Sequence, residues 1–213
     1  MLKNYLLYLE YITKKIQKNF ESQKDYICCE KGCAKCCRQA QFPYSQIEFE
    51  LIYQGLLALA PDVKKQVLDK IDKVIIEKQK HNSENPQEKF RYDCPFLIND
   101  ECSVYEYRGL ICRIFGLLTF IKGQEKELNI PFCAYEGLNY SGVIDIAQGK
   151  TTSQESQNME LSPEVTAYNL DYSTLINEKT AGCFGVEFGE VKPLIEWFIK
   201  WKEDLIEKRN SSL

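Results

Sequence analysis

The stretch Cys28-Cys29-Glu30-Lys31-Gly32-Cys33-Ala34-Lys35-Cys36-Cys37 sets five cysteines among charged side chains and a glycine. That mixture is a poor composition for an apolar core, and a charged, glycine-containing loop offers its thiols to ligands. Cys33 and Cys36 have the spacing with which a loop wraps two sulfurs round one ion. Gly32 permits the tight turn that this wrapping needs. Four more cysteines follow at Cys94, Cys102, Cys112 and Cys133, and the last, Cys183, lies far downstream. Disulfides are the poorer reading, because neighbours such as Cys36 and Cys37 rarely bridge and several long-range bonds would have to persist in a reducing compartment. The isolated thiols Cys28 and Cys183 read as buried packing residues.

Working outward, the chain has 213 residues, 44% hydrophobic and 27% charged, enough for one packed globular domain over residues 1–213 and incompatible with disorder throughout. Lys and Arg number 27 against 31 Asp and Glu, a formal charge of −4, which gives no basic surface for a nucleic acid partner. No apolar run approaches the roughly 20 residues that span a bilayer, and the first residues lack the compact apolar stretch of a signal peptide. The expectation is a soluble, cytoplasmic protein without a membrane partner. In that compartment clustered cysteines are more often metal ligands or redox groups than disulfides. The triplets Asn139-Tyr140-Ser141 and Asn210-Ser211-Ser212 are then chance matches to a glycosylation signal.

The flanking segments read as helices. Leu2, Tyr5, Leu6, Leu9, Ile12 and Ile16 form a stripe over Leu2–Phe20. Ser45-Gln46-Ile47-Glu48 has the form of a capping box and opens a helix to about Leu59, before Pro61. Val63, Val67, Ile71, Val74 and Ile75 mark a third helix, and His81–Lys89 reads as a loop. Phe115–Ile121 and Leu128–Phe132 flank a Lys122-Gly123 turn as the one candidate hairpin. Gly137–Leu161 reads as an irregular excursion, and Ser162-Pro163-Glu164 as the start of a helix carrying Val165, Tyr168, Tyr172 and Leu175. The Gly182–Gly189 stretch ends that helix, and a last one over Val191–Lys208 sets Leu194, Trp197, Phe198, Trp201 and Leu205 on one side. The fold class is mainly α, with helices packed around an irregular cysteine-rich core over residues 28–133.

The ordered series Cys29-x3-Cys33-x2-Cys36-Cys37, Cys94-Pro95-Phe96-Leu97, Cys102-Ser103-Val104-Tyr105-Glu106-Tyr107-Arg108, Cys112-Arg113 and Cys133 resembles the YkgJ-like cysteine-cluster family, known by the motif CxxCxxCC and described as zinc- or iron-chelating. The resemblance covers about half of the chain. It implies Cys29, Cys33, Cys36, Cys37, Cys94, Cys102, Cys112 and Cys133 as metal ligands and leaves Cys28 and Cys183 outside. Two departures stand out. Three residues separate Cys29 from Cys33 where the motif has two, and the family's frequent Arg-Pro is here Arg108-Gly109.

All-sulfur coordination selects zinc or iron over magnesium, calcium or manganese. Eight thiolates suit two zinc ions, an iron-sulfur cluster with a second site, or a multinuclear assembly, and spacing does not choose among them. Lys31, Lys35, Arg38, Arg108 and Arg113 lie near cysteines and would offset the negative charge of a thiolate-bound ion. The only histidine, His81, sits in a polar segment and reads as solvated, so the chain lacks the usual general base and no catalytic residue is assigned. Metal ions are the expected partners. The rival readings are a metal-trafficking protein and an enzyme, since flagellin lysine N-methylases, which use S-adenosylmethionine, are similar to this family over the cysteine motif. No Gly-x-Gly-x-x-Gly loop supports a Rossmann-type cofactor site for the latter.

Overall fold

A computed structural model of the chain describes residues 1–30, 32–39, 41–121, 124–145, 150–151, 165–177 and 179–210. In chain order the helices are α1 (Leu2–Ser22), α2 (Gln46–Ala58), α3 (Pro61–Glu84), α4 (Leu110–Ile114), α5 (Phe132–Tyr135), α6 (Tyr172–Asn177), α7 (Lys179–Cys183) and α8 (Leu194–Asn210). The strands are β1 (Pro43–Ser45), β2 (Leu97–Ile98), β3 (Glu101–Cys102), β4 (Thr119–Ile121), β5 (Gln124–Asn129), β6 (Ile144–Asp145), β7 (Lys150–Thr151) and β8 (Val191–Pro193). They pair antiparallel two by two, β1 with β8 and the rest with their neighbours in sequence. The fold is mainly α, as expected, and among the described residues no helix is long and apolar enough to cross a membrane. The chain divides into two compact units, one of Met1–Cys36 with Leu110–Glu187 and the other of Cys37–Gly109 with Phe188–Leu213.

In the first unit, α1 buries Tyr5, Tyr8, Leu9, Ile12 and Ile16. Tyr8 takes the place expected for Leu6, which is 46% exposed, because the Tyr8 hydroxyl donates to the Leu175 carbonyl at 2.8 Å while its ring meets Phe184 edge-on. A second small core forms from Leu118, Tyr140 and Ile144, with Tyr26 and Ile27 packed against it. The expected hairpin exists with a different register: β4 pairs with Gln124–Asn129, and Phe132 opens α5 instead of ending a strand. Pro131 lies at the N-cap of that helix, and a proline cannot continue the ladder. The Lys122-Gly123 turn lies outside the described residues.

The helix expected from Ser162 is corrected. Residues 162–164 lie outside the described residues, and Tyr168 is held in an extended bridge to β4, donating its N–H to the Leu118 carbonyl and accepting the Phe120 N–H, both at 3.0 Å. The helix starts at Tyr172 instead, where Asp171 receives the Thr174 N–H at 2.9 Å and the Ser173 hydroxyl at 2.7 Å.

The second unit is built on α2, α3 and α8. The capping box is present as read: the Glu48 carboxylate accepts the Ser45 N–H at 2.8 Å and the Ser45 hydroxyl at 2.7 Å. Pro61 is the first residue of α3, a position where its missing N–H costs nothing, and α3 runs on through His81 to Glu84, so that only the remainder of the expected loop is non-helical. Val191–Pro193 forms β8 against β1, which delays α8 to Leu194. Leu194, Trp197 and Phe198 are buried, and the Trp197 indole donates to the Tyr44 carbonyl at 2.8 Å, whereas Leu205 is 48% exposed and outside the core.

Gly109 shows how tightly this unit closes. Its N–H donates to the Tyr44 hydroxyl at 3.2 Å, and a Cβ here would stand 2.8 Å from the Tyr44 ring and 2.9 Å from the Glu48 carboxylate. Both neighbours are fully buried, so neither can yield. This geometry explains why glycine, and not proline, follows Arg108. Gly109→Ala is expected to lower the unfolding free energy by about 1–3 kcal/mol through overpacking, and Gly109→Pro to cost more because the donor is also lost. Urea midpoints compared with the wild type check both.

Candidate metal centre

Five of the eight expected ligands, Cys29, Cys33, Cys36, Cys112 and Cys133, belong to the first unit, and Cys37, Cys94 and Cys102 to the second. None of the ten cysteines is in a disulfide. Cys133 is buried, six others are half-buried, and Cys28, Cys29 and Cys183 are exposed. The two isolated thiols are therefore not packing residues, contrary to the expectation for them.

In the first unit the Cys29 and Cys133 thiols meet in a hydrogen bond. Two elements position them. Cys133 lies in the single turn of α5, and its carbonyl accepts the N–H groups of Glu136 at 3.1 Å and Leu138 at 3.0 Å. Cys29 lies in an extended segment fixed by Asn139, whose Oδ1 accepts the Cys28 N–H at 2.8 Å. The Asn139 Nδ2 group donates to the Cys29 Sγ at 3.1 Å and to the Gly116 carbonyl at 3.0 Å. Asn139 itself has no exposed surface.

These contacts set the protonation of the pair. The Cys29 thiol is drawn below the usual cysteine range, chiefly by the hydrogen bond with Cys133, with the Asn139 amide acting in the same sense and partial desolvation of the sulfur opposing both. Cys133 is pushed upward by the same hydrogen bond and by its burial, and the charge of Cys36 adds to the rise. The contacts thus favour the thiolate form at Cys29 and the protonated form at Cys133. Tyr140, next in sequence to Asn139, is raised to about 12 by burial.

Elsewhere in this unit Cys33 donates its N–H to the Glu30 carbonyl at 3.0 Å, after Gly32 at a φ of 89°. The turn foreseen from Gly32 is there. Cys36 opens a short 3-10 turn, and Cys112 lies in α4.

In the second unit the Cys94 N–H donates to the Cys37 carbonyl at 2.8 Å, and the Cys94 carbonyl accepts the Leu97 N–H at 3.0 Å. Leu97 pairs with Cys102 across the β2–β3 hairpin. That hairpin closes on Asn99 and Asp100, at φ 51° and 61°, the left-handed pair that a two-residue turn demands. It was not expected from the sequence, although Asn-Asp between short apolar runs is a usable turn signal. The Arg38 guanidinium reaches Asp93 at 3.4 Å and also pairs with Asp100, bracing the segments on which Cys37, Cys94 and Cys102 sit.

The cations expected to offset thiolate charge have other contacts. Arg38 is paired as above, Lys35 meets Glu136 at 3.3 Å, Arg108 stacks over Tyr105 and Arg113 reaches the Thr13 hydroxyl at 3.4 Å. Lys31 lies outside the described residues. His81 is in the last turn of α3 with its ring against Phe90, instead of in a solvated loop. Among the described residues, no three His, Cys, Asp or Glu side chains converge in a metal-holding group. The donors nevertheless fit zinc or iron. They are soft sulfurs, and one of them, Cys29, has an amide donor aimed at it.

Two further contributors, Asn139 and Gly116, were not foreseen from the sequence. Asn139 stood in a glycosylation-type triplet, and its complete burial removes it as a glycan acceptor. Gly116 has a φ of 105°, and a Cβ on it would lie 3.0 Å from Asn139 Nδ2 and 3.1 Å from Cys29 Sγ.

Residues 28–134, half of the chain, match the CxxCxxCC family, whose description reads "Putative zinc- or iron-chelating domain". No curated protein and no solved structure matches the chain.

The notch at Gly116 yields a paired comparison with Gly137, which also has a positive φ but open space around it. Gly137→Ala carries only the conformational cost, about 1 kcal/mol. Gly116→Ala adds overpacking and is expected to lose about 1–3 kcal/mol more, read as the difference between their urea midpoints.

Proposed function

The chain belongs to the CxxCxxCC zinc- or iron-chelating domain family, and from that premise we propose that it is a metal-binding protein whose cysteine thiolates hold zinc or iron. The ligands are Cys29, Cys33, Cys36, Cys37, Cys94, Cys102, Cys112 and Cys133. The observation that carries the reading is the Cys29–Cys133 pair, in which two cysteine sulfurs meet and a buried amide donor is aimed at one of them at 3.1 Å. A metal ligand must be deprotonated, and contacts that favour the thiolate form of Cys29 reduce the work of proton release on binding. The accessibility of the other thiols supports the same reading, since a packing role would have buried them. A reducing, cytoplasmic setting, in which thiols stay available to a metal, belongs to the same proposal.

The metal, when bound, supplies cross-links between segments far apart in sequence. The protein's own part is to bring sulfurs together and neutralise what remains of their charge with N–H donors. Structural zinc in small domains contributes on the order of 10 kcal/mol, comparable with the whole stability of a domain. Removal is therefore expected to loosen the segments that carry the ligands.

Anaerobic purification with metal analysis and a visible spectrum tests the proposal. Colourless protein containing zinc supports the zinc arm, and coloured protein containing iron with acid-labile sulfide supports the iron-sulfur arm. Protein with reduced thiols and neither metal overturns the reading. Complete chelation is expected to lower the thermal midpoint, and the double variant Cys29→Ser/Cys133→Ser to lose bound metal, while Cys183→Ser retains it.

A further inference from the structure

Asn139 lies beyond the stretch that matches the family, yet its side chain makes a direct polar contact to a candidate ligand sulfur. A buried amide carries two donor hydrogens and an acceptor oxygen that all need partners. Asn139 satisfies them with three contacts in one neighbourhood: Oδ1 on the Cys28 N–H, and Nδ2 on the Gly116 carbonyl and the Cys29 sulfur. The first two contacts fix the orientation of the amide. The third therefore follows from a plane already set by the backbone. Gly116, with no Cβ, leaves the space in which amide and sulfur meet.

We propose that Asn139 is the positioning residue for Cys29 in the metal-loaded protein, its Nδ2–H group aiming the sulfur and withdrawing charge from it. The inference rests on the reading of Cys29 as a ligand. Partners of this kind, which orient a ligand and adjust its electron donation, typically change metal affinity by about 10–100-fold when removed. An N–H group on a ligand sulfur also lowers the energy of the sulfur lone pair, and that effect is spectroscopic. A residue that merely held the loop in place would not produce it.

Two measurements on the full chain test the role. In wild-type protein loaded with a magnetically active cadmium isotope and labelled at nitrogen, the Asn139 side-chain amide proton is expected to show scalar coupling to the metal through Cys29. This readout needs no variant and so survives any folding defect. In cobalt-loaded protein, Asn139→Leu and the near-isosteric Asn139→Asp are expected to shift the sulfur-to-cobalt charge-transfer band to lower energy. Their zinc affinity is expected to fall by about 10–100-fold. Cadmium coupled to the Cys29 methylene but not to the Asn139 amide, or an unshifted band in a folded variant, overturns the positioning role alone. A wild type that takes up neither metal, or metal bound without coupling to Cys29, overturns the ligand reading and this inference with it.

Discussion

A side-chain amide with no access to water has to find every hydrogen-bonding partner inside the protein, and in the first unit that requirement falls on Asn139. Its three contacts join the Cys28–Cys29 segment to the Gly116 turn, two stretches far apart in sequence. Leaving a buried donor or acceptor unmade costs about 1–3 kcal/mol, so any rearrangement that keeps the amide buried is penalised for each of these contacts it breaks. The position of the Cys29 sulfur follows from this requirement. Next in sequence, Tyr140 joins the core of Leu118 and Ile144, and its N–H, bonded to the Tyr26 carbonyl at 2.8 Å, ties the same corner to the turn that follows α1.

The second unit meets the complementary problem of burying a carboxylate. Glu48 has no exposed surface, and its location at the third position of α2 lets it serve the helix start, where N–H groups lack partners. Tyr44 stands beside it and receives the Gly109 N–H, so one polar corner fixes the start of α2 and the chain just before Leu110. Around that corner the aromatic side chains of α2 and α8 pack, Phe49 stacking on Trp197 at 5.4 Å and meeting Phe198 edge-on at 5.1 Å. The cysteines of this unit sit on segments held mostly by backbone bonds and by Arg38, a looser kind of support.

Local signals were legible from the sequence wherever a few neighbouring residues determine the outcome. The capping box at Ser45–Glu48, the buried face of α1 and the aromatic face of α8 are of this type, and so is the order of the cysteines. Contacts between distant stretches were not legible. Ser162-Pro163-Glu164 has the look of a helix start, but Tyr168 just downstream is committed to β4, and no local pattern reveals that pairing. The hairpin was read in the right place with the wrong register, because Leu128 and Ile130 suggest an apolar strand while Pro131 ends it. Asn139 carried a recognisable triplet whose usual meaning pointed away from its place in the interior. The cysteines themselves are legible as an ordered list; the groups that contact them, such as Asn139 on Cys29, belong to the tertiary fold.

Thiols on the surface of a protein are also reductants. With Cys28 and Cys29 exposed, sulfur in this chain is accessible to peroxide and to other thiols as well as to a metal ion. A coordinated sulfur has its lone pair engaged and resists oxidation, whereas an exposed cysteine whose contacts favour the thiolate, as at Cys29, is the kind of group that oxidants attack first. Exposure thus makes the two fates competitors in time. A sulfur oxidised past the sulfenic level is lost to a metal, and a sulfur engaged by a metal is withdrawn from the oxidant.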